Sequence, residues 1–477
     1  MRLDNDFSLG DPKVSEFKLL GKIPLFKIIR KEDNTWIFVF GILFLKIKHT
    51  PDLYEWRFFK RLPLFKIFKT QHKSDEELKK HFSEIIEKFR RKINQKNKIR
   101  VVFMVIYDSV FPGEPLFQKM KNDSVFTPSI LVIPDVFRGR KNMLEQMDKT
   151  YNSLSLKYPN VYHSWDKNKK KFVDYSDKMD IVCTANPYDW MTYKYYQISK
   201  LFKNEILSIF FNYGYPAVSY ARKVARQYSL AVSWIVFSES NDIIKEFENQ
   251  MLNKGENLVL SGYMKLDGLA PTRKNLNKRK KIIIAPHHTI EKKFEETIGL
   301  SNFLKYSDFF LKLPGLYPQV DFVFRPHPLL RVALEKKEIW GKKKTDLYFD
   351  KIQKNNNVEY QAGGDYFETF MNSDGIIHDC SSFLAEYLFT GNPACYLLRD
   401  ATSKEKYFMN NGRRIINNCY EAYSEKDILS YIDNVIIAEK DYMKEKRIEF
   451  VKNELMINYP NVSDFVLKYI KEKILVG

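Results

Sequence analysis

The sequence predicts an α/β protein made of two parallel-sheet halves, with a basic, strand-rich extension in front and a helical tail behind. Three observations predict it. Between about residues 100 and 400, short apolar runs alternate with amphipathic helical stretches, the pattern of strand–helix–strand units around a parallel sheet. Two of those runs, Asp321-Phe322-Val323-Phe324 and Gly375-Ile376-Ile377, stop at chemistry-bearing residues: Arg325-Pro326-His327-Pro328 after the first and Asp379-Cys380-Ser381-Ser382 after the second. The first hundred residues follow neither pattern. At 477 residues, with 44% hydrophobic and 15% aromatic content, the chain can fill two cores. A net charge of +19 calls for an anionic partner: nucleic acid, an anionic membrane or a phosphate-rich substrate.

The extension, residues 1–72, holds much of that charge, since residues 1–100 contain 24 Lys or Arg against 13 Asp or Glu. A short unit recurs in it: Gly21-Lys-Ile-Pro24-Leu-Phe-Lys27-Ile28, then Gly41-Ile-Leu-Phe-Leu-Lys46-Ile47, then Leu62-Pro63-Leu-Phe-Lys66-Ile67. Apolar and aromatic residues interleaved with lysine predict short strands in a meander with one greasy and one basic surface. Such a surface suits docking on an anionic membrane, where each lysine contributes on the order of 1 kcal/mol. The alternative is a small β-subdomain whose aromatics pack on the main body. The longest uncharged apolar run, Trp36 to Leu45, is far short of the roughly 20 residues that span a bilayer, and no signal peptide is visible at Met1. Basic residues here accompany apolar repeats rather than a nucleic-acid-binding motif, so no nucleic-acid partner is expected.

Residues 73–270 form the first half. Ser74-Asp75-Glu76-Glu77 is a capping box that opens a helix with Leu78, Phe82, Ile85, Ile86, Phe89 and Ile93 at helical spacing. Strands Val101–Tyr107, Ile130–Ile133, Ile181–Thr184, Ile206–Phe211 and Val232–Phe237 follow, with helices Asn142–Leu156, one from Trp190, and Asn241–Leu252. The basic stretch Pro271 to Lys280 has no apolar period and reads as a linker. Residues 271–424 form the second half, beginning with strand Ile282–Ala285, and the tail, 425–477, is helical from roughly Glu425 to Leu475.

Ligands of open parallel sheets bind at the carboxyl ends of strands, so the Arg325 and Asp379 clusters are expected to share one crevice. Four of the eight histidines, His287, His288, His327 and His378, fall at three predicted strand ends in the second half. A lone histidine there is usually structural, and that alternative stands for each. Ser382 to Thr390 reads as a helix stopped by Gly391 and Pro393. Its free N–H groups and the hydroxyls of Ser381 and Ser382, with the Arg325 fork, describe a pocket for a phosphorylated or diphosphate-bearing ligand.

These residues resemble a known family. Ser373-Asp374-Gly-Ile-Ile-His378-Asp379-Cys380-Ser381-Ser382-Phe-Leu-Ala-Glu386, with Gly391-Asn-Pro393 and Asp400 downstream, is similar to the serine-rich signature of the CDP-glycerol glycerophosphotransferases of teichoic acid and capsule synthesis. Arg325-Pro-His327-Pro is similar to that family's R-x-H-P motif, Ile283-Ile-Ala-Pro286-His-His288 occupies its A-P strand end, and Gly262-Tyr263-Met-Lys265-Leu-Asp267 resembles its G-Y-P-R-x-D turn. The resemblance covers Gly262 to Asp400. It implies two Rossmann-like domains of the GT-B type, the second holding a nucleotide donor. It also implies Arg325, His378, Asp379, Ser381, Ser382, Glu386 and Lys265 on the nucleotide and phosphate, and His327 as a catalytic group. The family's Trp-His-Gly-Thr-Pro segment, whose histidine is taken as the base, is matched here by Asn212-Tyr213-Gly214-Tyr215-Pro216. Tyr213 and Gly214 then mark the acceptor side, and a phenol of pKa about 10 is a poor base. His288 or Asp189 is expected to supply that base.

The expected activity is transfer of a polyol phosphate from a CDP-linked donor to a hydroxyl of a saccharide or lipid-linked polysaccharide, at the inner face of the plasma membrane. Alternatives are a nucleotide-sugar glycosyltransferase on the same scaffold and a non-catalytic docking subunit. Four cysteines without Cys-x-x-Cys spacing predict reduced thiols and no zinc site. With no Asp-x-Asp pair and no Walker loop, the expectation is that neither metal nor cofactor is used, the nucleotide-activated donor being substrate.

Overall fold

The computed structural model describes the backbone of six strands between Lys13 and Phe68, and residues 75–109, 111–269 and 279–476. The six strands are β1 (Lys13–Leu19), β2 (Ile23–Lys31), β3 (Asn34–Val39), β4 (Ile42–His49), β5 (Leu53–Phe58) and β6 (Leu62–Phe68). They form one antiparallel meander in sequence order. The sequence repeat falls on β2, β4 and β6, each the second strand of a hairpin, and each hairpin carries a register shift: at Phe17/Lys18, Ile37/Phe38 and Trp56/Arg57. The expected greasy and basic faces of this sheet depend on side chains outside the described residues. Most of the expected linker, 271–278, also lies outside them.

The rest of the chain divides into two units, residues 1–108 with 125–209 and 226–234, and residues 109–124 with 210–225 and 235–477. In the first, β7 (Ile99–Val105), β8 (Phe126–Val132), β9 (Val161–His163) and β12 (Ile181–Thr184) pair in parallel in the order β12-β7-β8-β9, with a small antiparallel hairpin of β10 (Trp165–Asp166) and β11 (Lys171–Phe172) between them in sequence. Strands β7 and β12 are buried along nearly their whole length, so they read as apolar runs rather than alternating ones. Trp190 does not open the expected helix. Short 3₁₀ turns at Asp189–Met191 and Lys194–Tyr196 come first, and the helix runs Ile198–Lys203. The cause is Asp189, whose carboxylate accepts the N–H groups of Ile198 (2.7 Å) and Ser199 (3.1 Å) and so fixes the helix start nine residues on.

Strand β13 (Leu207–Phe210) carries the chain toward the second unit, where β14 (Ile235–Ser238) and β15 (Leu258–Leu260) pair in parallel. A six-stranded, fully parallel sheet follows: β16 (Lys281–Ala285), β17 (Asp321–Phe324), β18 (Val358–Tyr360), β19 (Gly375–His378), β20 (Ala394–Leu397) and β21 (Tyr420–Ala422), in the order β18-β17-β16-β19-β20-β21. Parallel neighbours need crossovers, and helices Phe303–Leu316, Gly341–Gln353, Phe367–Met371 and Ser381–Glu386 supply them. Ile282, Ile284, Phe322, Phe324 and Ile377 of the strands pack with Phe303, Phe310, Leu313 and Phe349 of the helices in one buried cluster. β16 has β17 on one side and β19 on the other, so the carboxyl ends of three strands come together.

The tail holds helical segments between Glu425 and Leu475, interrupted at 438–443 and 456–461, with π-helical turns at Tyr431–Ile437 and Val451–Leu455. Its anchors are specific. The hydroxyl of Tyr431 donates to the carbonyl of Pro393 (2.7 Å), and Arg447, fully buried, pairs with Asp441 and reaches the carbonyl of Gly391. Asp267 accepts the N–H groups of Val462 (3.0 Å) and Ser463 (2.7 Å) at the start of the last helix. Gly262 has φ +87°, and a Cβ there would lie 2.0 Å from the carbonyl oxygen of Ile457. Two members of the Gly262–Asp267 motif therefore hold the tail in place.

Candidate active site

The site begins with three histidines. Pro286 directly follows β16, and the next two residues, His287 and His288, face His327, which lies just past the end of β17. The ring centroids lie 4.5 Å (His287–His288), 5.2 Å (His287–His327) and 4.2 Å (His288–His327) apart. The N–H of His327 donates to the carbonyl of Pro286 at 2.9 Å, which ties the two strand ends together. His327 is the residue before the helix Pro328–Leu334, and its Nδ1 accepts the N–H of Leu329 at 3.1 Å. An imidazole nitrogen that accepts carries no proton, so the neutral ring holds its proton on Nε2.

His287 is fixed in the same sense by a different device. The hydroxyl oxygen of Thr289 accepts the N–H groups of Leu300 (3.2 Å) and Ser301 (3.3 Å), which uses both of its lone pairs. Its proton then points to His287 Nδ1, 2.9 Å away, leaving His287 protonated at Nε2. Burial and the neighbouring histidines hold this ring well below the ordinary histidine pKa, so it stays neutral. One nitrogen from each of the three rings falls within 4.8 Å of the others, a spacing that would suit a metal ion. A ligating imidazole normally donates its other N–H to a second-shell acceptor. Here the Nδ1 atoms of His287 and His327 accept instead, so the Nε2 atoms of these two rings, when neutral, are donors and suit an anion.

Asp379, expected on the substrate, is fully buried and spent on the scaffold. Its Oδ1 accepts the N–H of His287 at 2.6 Å and its Oδ2 the N–H of Asn302 at 2.5 Å. It fastens the end of β19 to the histidine loop and to the start of helix Phe303–Leu316. Burial pushes its carboxyl up to about 6. His378 is likewise interior. Its Nδ1 bonds the carbonyl of Cys380 at 3.2 Å, Tyr396 packs against its ring edge at 5.0 Å, and burial holds its pKa down to about 3. Both are positioning residues, because neither side chain reaches open space.

Arg325 is buried, its guanidinium donating to Gln361 Oε1 (2.6 Å) and the carbonyl of Gly364, and it lies over the ring of Tyr366 at 5.5 Å. The fork thus also organises the 361–366 loop. Ser381 and Ser382 open the helix Ser381–Glu386, which continues as a 3₁₀ turn to Thr390 and stops at Gly391 with φ +79°. The residue at the cap is Cys380, extended and without a side-chain cap bond, so the helix starts one residue before the expected Ser382. Both serines stay partly exposed.

Glu386 departs most from expectation. It is fully buried, and it accepts the hydroxyl of Tyr263 (2.6 Å), the ammonium of Lys265 (3.0 Å) and the hydroxyl of Tyr366. Its oxygens accept from three protein donors, and it holds Tyr366 under Arg325 and fixes Lys265. Lys265 also donates to the carbonyl of Tyr213 at 3.0 Å.

The Asn212–Pro216 segment is pinned residue by residue. Asn212 donates to Glu239 Oε2 (3.1 Å), the Tyr213 carbonyl receives Lys265, and the hydroxyl of Tyr215 bonds Ser240 (3.2 Å). The Pro216 carbonyl receives Asn411 (2.6 Å). A Cβ on Gly214 would sit 3.4 Å from Ser382 Cβ, so Gly214 lies against the serine motif. Asp189 belongs to the other unit, where its carboxylate is occupied by the helix start described above. Sequence reasoning passed over Thr289, Tyr366 and Glu239; only Glu239 left a trace, as a lone carboxylate between a buried strand and the Ser240 helix cap.

This is the two-sheet α/β architecture of GT-B-type enzymes. No family model matches the chain, and no curated protein matches it. Among solved structures, a wall teichoic acid polymerase TagF soaked with CDPG is similar to it with a TM-score of 0.52 at 13% identity, over 83% of this chain and 98% of that one. UDP-GlcNAc 2-epimerase from Neisseria meningitidis, bound to UDP-GlcNAc, is similar with a TM-score of 0.50 at 14% identity, over 79% of this chain and 100% of that one. At these identities the likeness establishes the fold.

Proposed function

We propose that the chain is a transferase of bacterial cell-surface polymer synthesis. It moves a polyol phosphate such as glycerol phosphate from a CDP-activated donor to a hydroxyl of a saccharide or lipid-linked polysaccharide. The observation that carries this reading is the pair of imidazoles locked with their protons on Nε2, at strand ends beside Arg325. N–H donors oriented by the Thr289 hydroxyl and the Leu329 amide suit a diphosphate whose charge grows on the leaving side. An acceptor oxygen attacks the β-phosphorus, the bond from that phosphorus to the bridging oxygen breaks, and CMP leaves. His327 donates from Nε2 to the departing phosphate, and Ser381 and Ser382 add hydroxyl donors. In this reading the basic N-terminal sheet docks the enzyme on the anionic inner face of the membrane, near a lipid-linked acceptor.

Tyr213 in place of a histidine base favours a second reading, a nucleotide-sugar glycosyltransferase on the same scaffold. A thermal-shift screen of the wild type and His327→Ala against CMP, CDP, CDP-glycerol, UDP, UDP-sugars and GDP separates them. Stabilisation by cytidine ligands, lost in the variant, supports the first reading. Response to UDP or GDP ligands alone supports the second, and silence toward every nucleotide leaves a docking subunit.

A further inference from the structure

Three consecutive strand ends in the second unit's other chain segments frame a separate crevice. Asn212 lies just past β13, Glu239 directly follows β14, and Ser261 directly follows β15. Together with Gly262, Tyr263 and Lys265 they line one pocket. Among the described lining residues Glu239 is the only carboxylate; it is 3% exposed, with Asn212 Nδ2 on one oxygen at 3.1 Å. A buried acid held by a neutral amide rather than a cation is costly to keep unless it has work.

We infer that this crevice receives the acceptor hydroxyl, of a polyol or saccharide chain end, and that Glu239 takes its proton. The inference rests on the transfer reading above and supplies the base that Tyr213 does not. Proximity to the phosphate site is built in. Asn212 is two residues from Gly214, which abuts Ser382, and Lys265 lines the pocket while bonding both the Tyr213 carbonyl and Glu386. In the step, the acceptor O–H bond breaks to Glu239, the freed oxygen bonds the β-phosphorus, and CMP departs with the bridging electron pair. Glu239 returns its proton to solvent. Burial raises the Glu239 carboxyl to about 8, near the operating pH that favours a general base. The titratable groups facing it are Tyr215 and Tyr263, both raised by burial and so neutral, and Lys265, which is paired with Glu386.

The test uses the full chain: CMP release from CDP-glycerol in the presence of a polyol-phosphate acceptor, from pH 6 to 9.5, for wild type, Glu239→Gln and Glu239→Asp. Nucleotide-induced thermal stabilisation is read in parallel. Glutamine keeps an oxygen for Asn212, so the fold and the stabilisation by cytidine ligands should persist. The expected result is a wild-type rate that climbs with its midpoint near pH 8 and levels off above it, and a Gln variant slower by about 100-fold or more with no climb. The Asp variant should recover part of both rate and climb. A Gln variant within about threefold of wild type, still climbing with pH, overturns the assignment while leaving the transfer reading intact. A wild type that neither binds nor cleaves any nucleotide-activated donor removes the transfer reading, and this inference with it.

Discussion

Glu386→Ala is the sharpest test of how the site is held. Removing this carboxylate strands the Lys265 ammonium, whose side chain is only 17% exposed, and leaves the hydroxyls of Tyr263 and Tyr366 without their acceptor. Breaking a buried charge pair by deleting one partner costs about 3–5 kcal/mol. The two tyrosine bonds to a charged acceptor add to the loss, though not additively, since all three share one site. The expected destabilisation is therefore at least about 3 kcal/mol, a fall in Tm of several degrees if the second unit melts as one domain. Glu386→Gln keeps an acceptor but not the charge, and should fall between. Equilibrium urea unfolding and a thermal scan on all three proteins decide it. Because Tyr366 supports Arg325, the alanine variant should also lose nucleotide-induced stabilisation. A Glu386→Ala protein within about 1 kcal/mol of wild type would refute the claim that this residue is structural, and would return it to the substrate.

Gly262→Ala should be among the least tolerated changes in the chain, costing about 3 kcal/mol or more by urea denaturation, since it meets both a positive φ and the Ile457 carbonyl at 2.0 Å. Thr289→Val should release His287 from its fixed tautomer; ring nitrogen NMR should then show a mixture of Nδ1–H and Nε2–H forms, where the wild type shows Nε2–H alone. Acid lability follows from His378. Its pKa in the fold, about 3, lies below its unfolded value. The neutral ring is thus favoured by folding, and its stabilisation is complete above about pH 6.5 and lost as pH falls, at about 1.4 kcal/mol per unit, toward pH 3. His378→Asn, compared with wild type by denaturation at pH 7 and pH 5, should narrow the difference between the two pH values.

Local pattern was enough for the α/β elements that are buried on both faces. Ile181–Cys183 and Ile282–Ala285 are apolar runs buried along their length, as strands of a sheet covered on both faces are. The tail's helical period survived its π turns, because an extra residue in one turn shifts the apolar stripe without erasing it. Trp190 misled because its helix was displaced by Asp189, and a capping contact nine residues away in sequence leaves no periodic signal.

Within the site, the sequence by itself determined which residue types stand at the strand ends: histidines after β16 and β17, Arg325, and the serine pair after β19. That follows from strand length and from the turn each strand must make. Only the tertiary structure decided which of them face a ligand. Asp379, His378 and Glu386 look like binding groups in a linear motif, and become interior once two loops or a neighbouring tyrosine supply their partners. Likewise the protons on His287 and His327 were decided by Thr289 and by the amide of Leu329. A side chain's protonation and role are set by what lies within about 3 Å of it, and those neighbours come from parts of the chain that local pattern does not bring together.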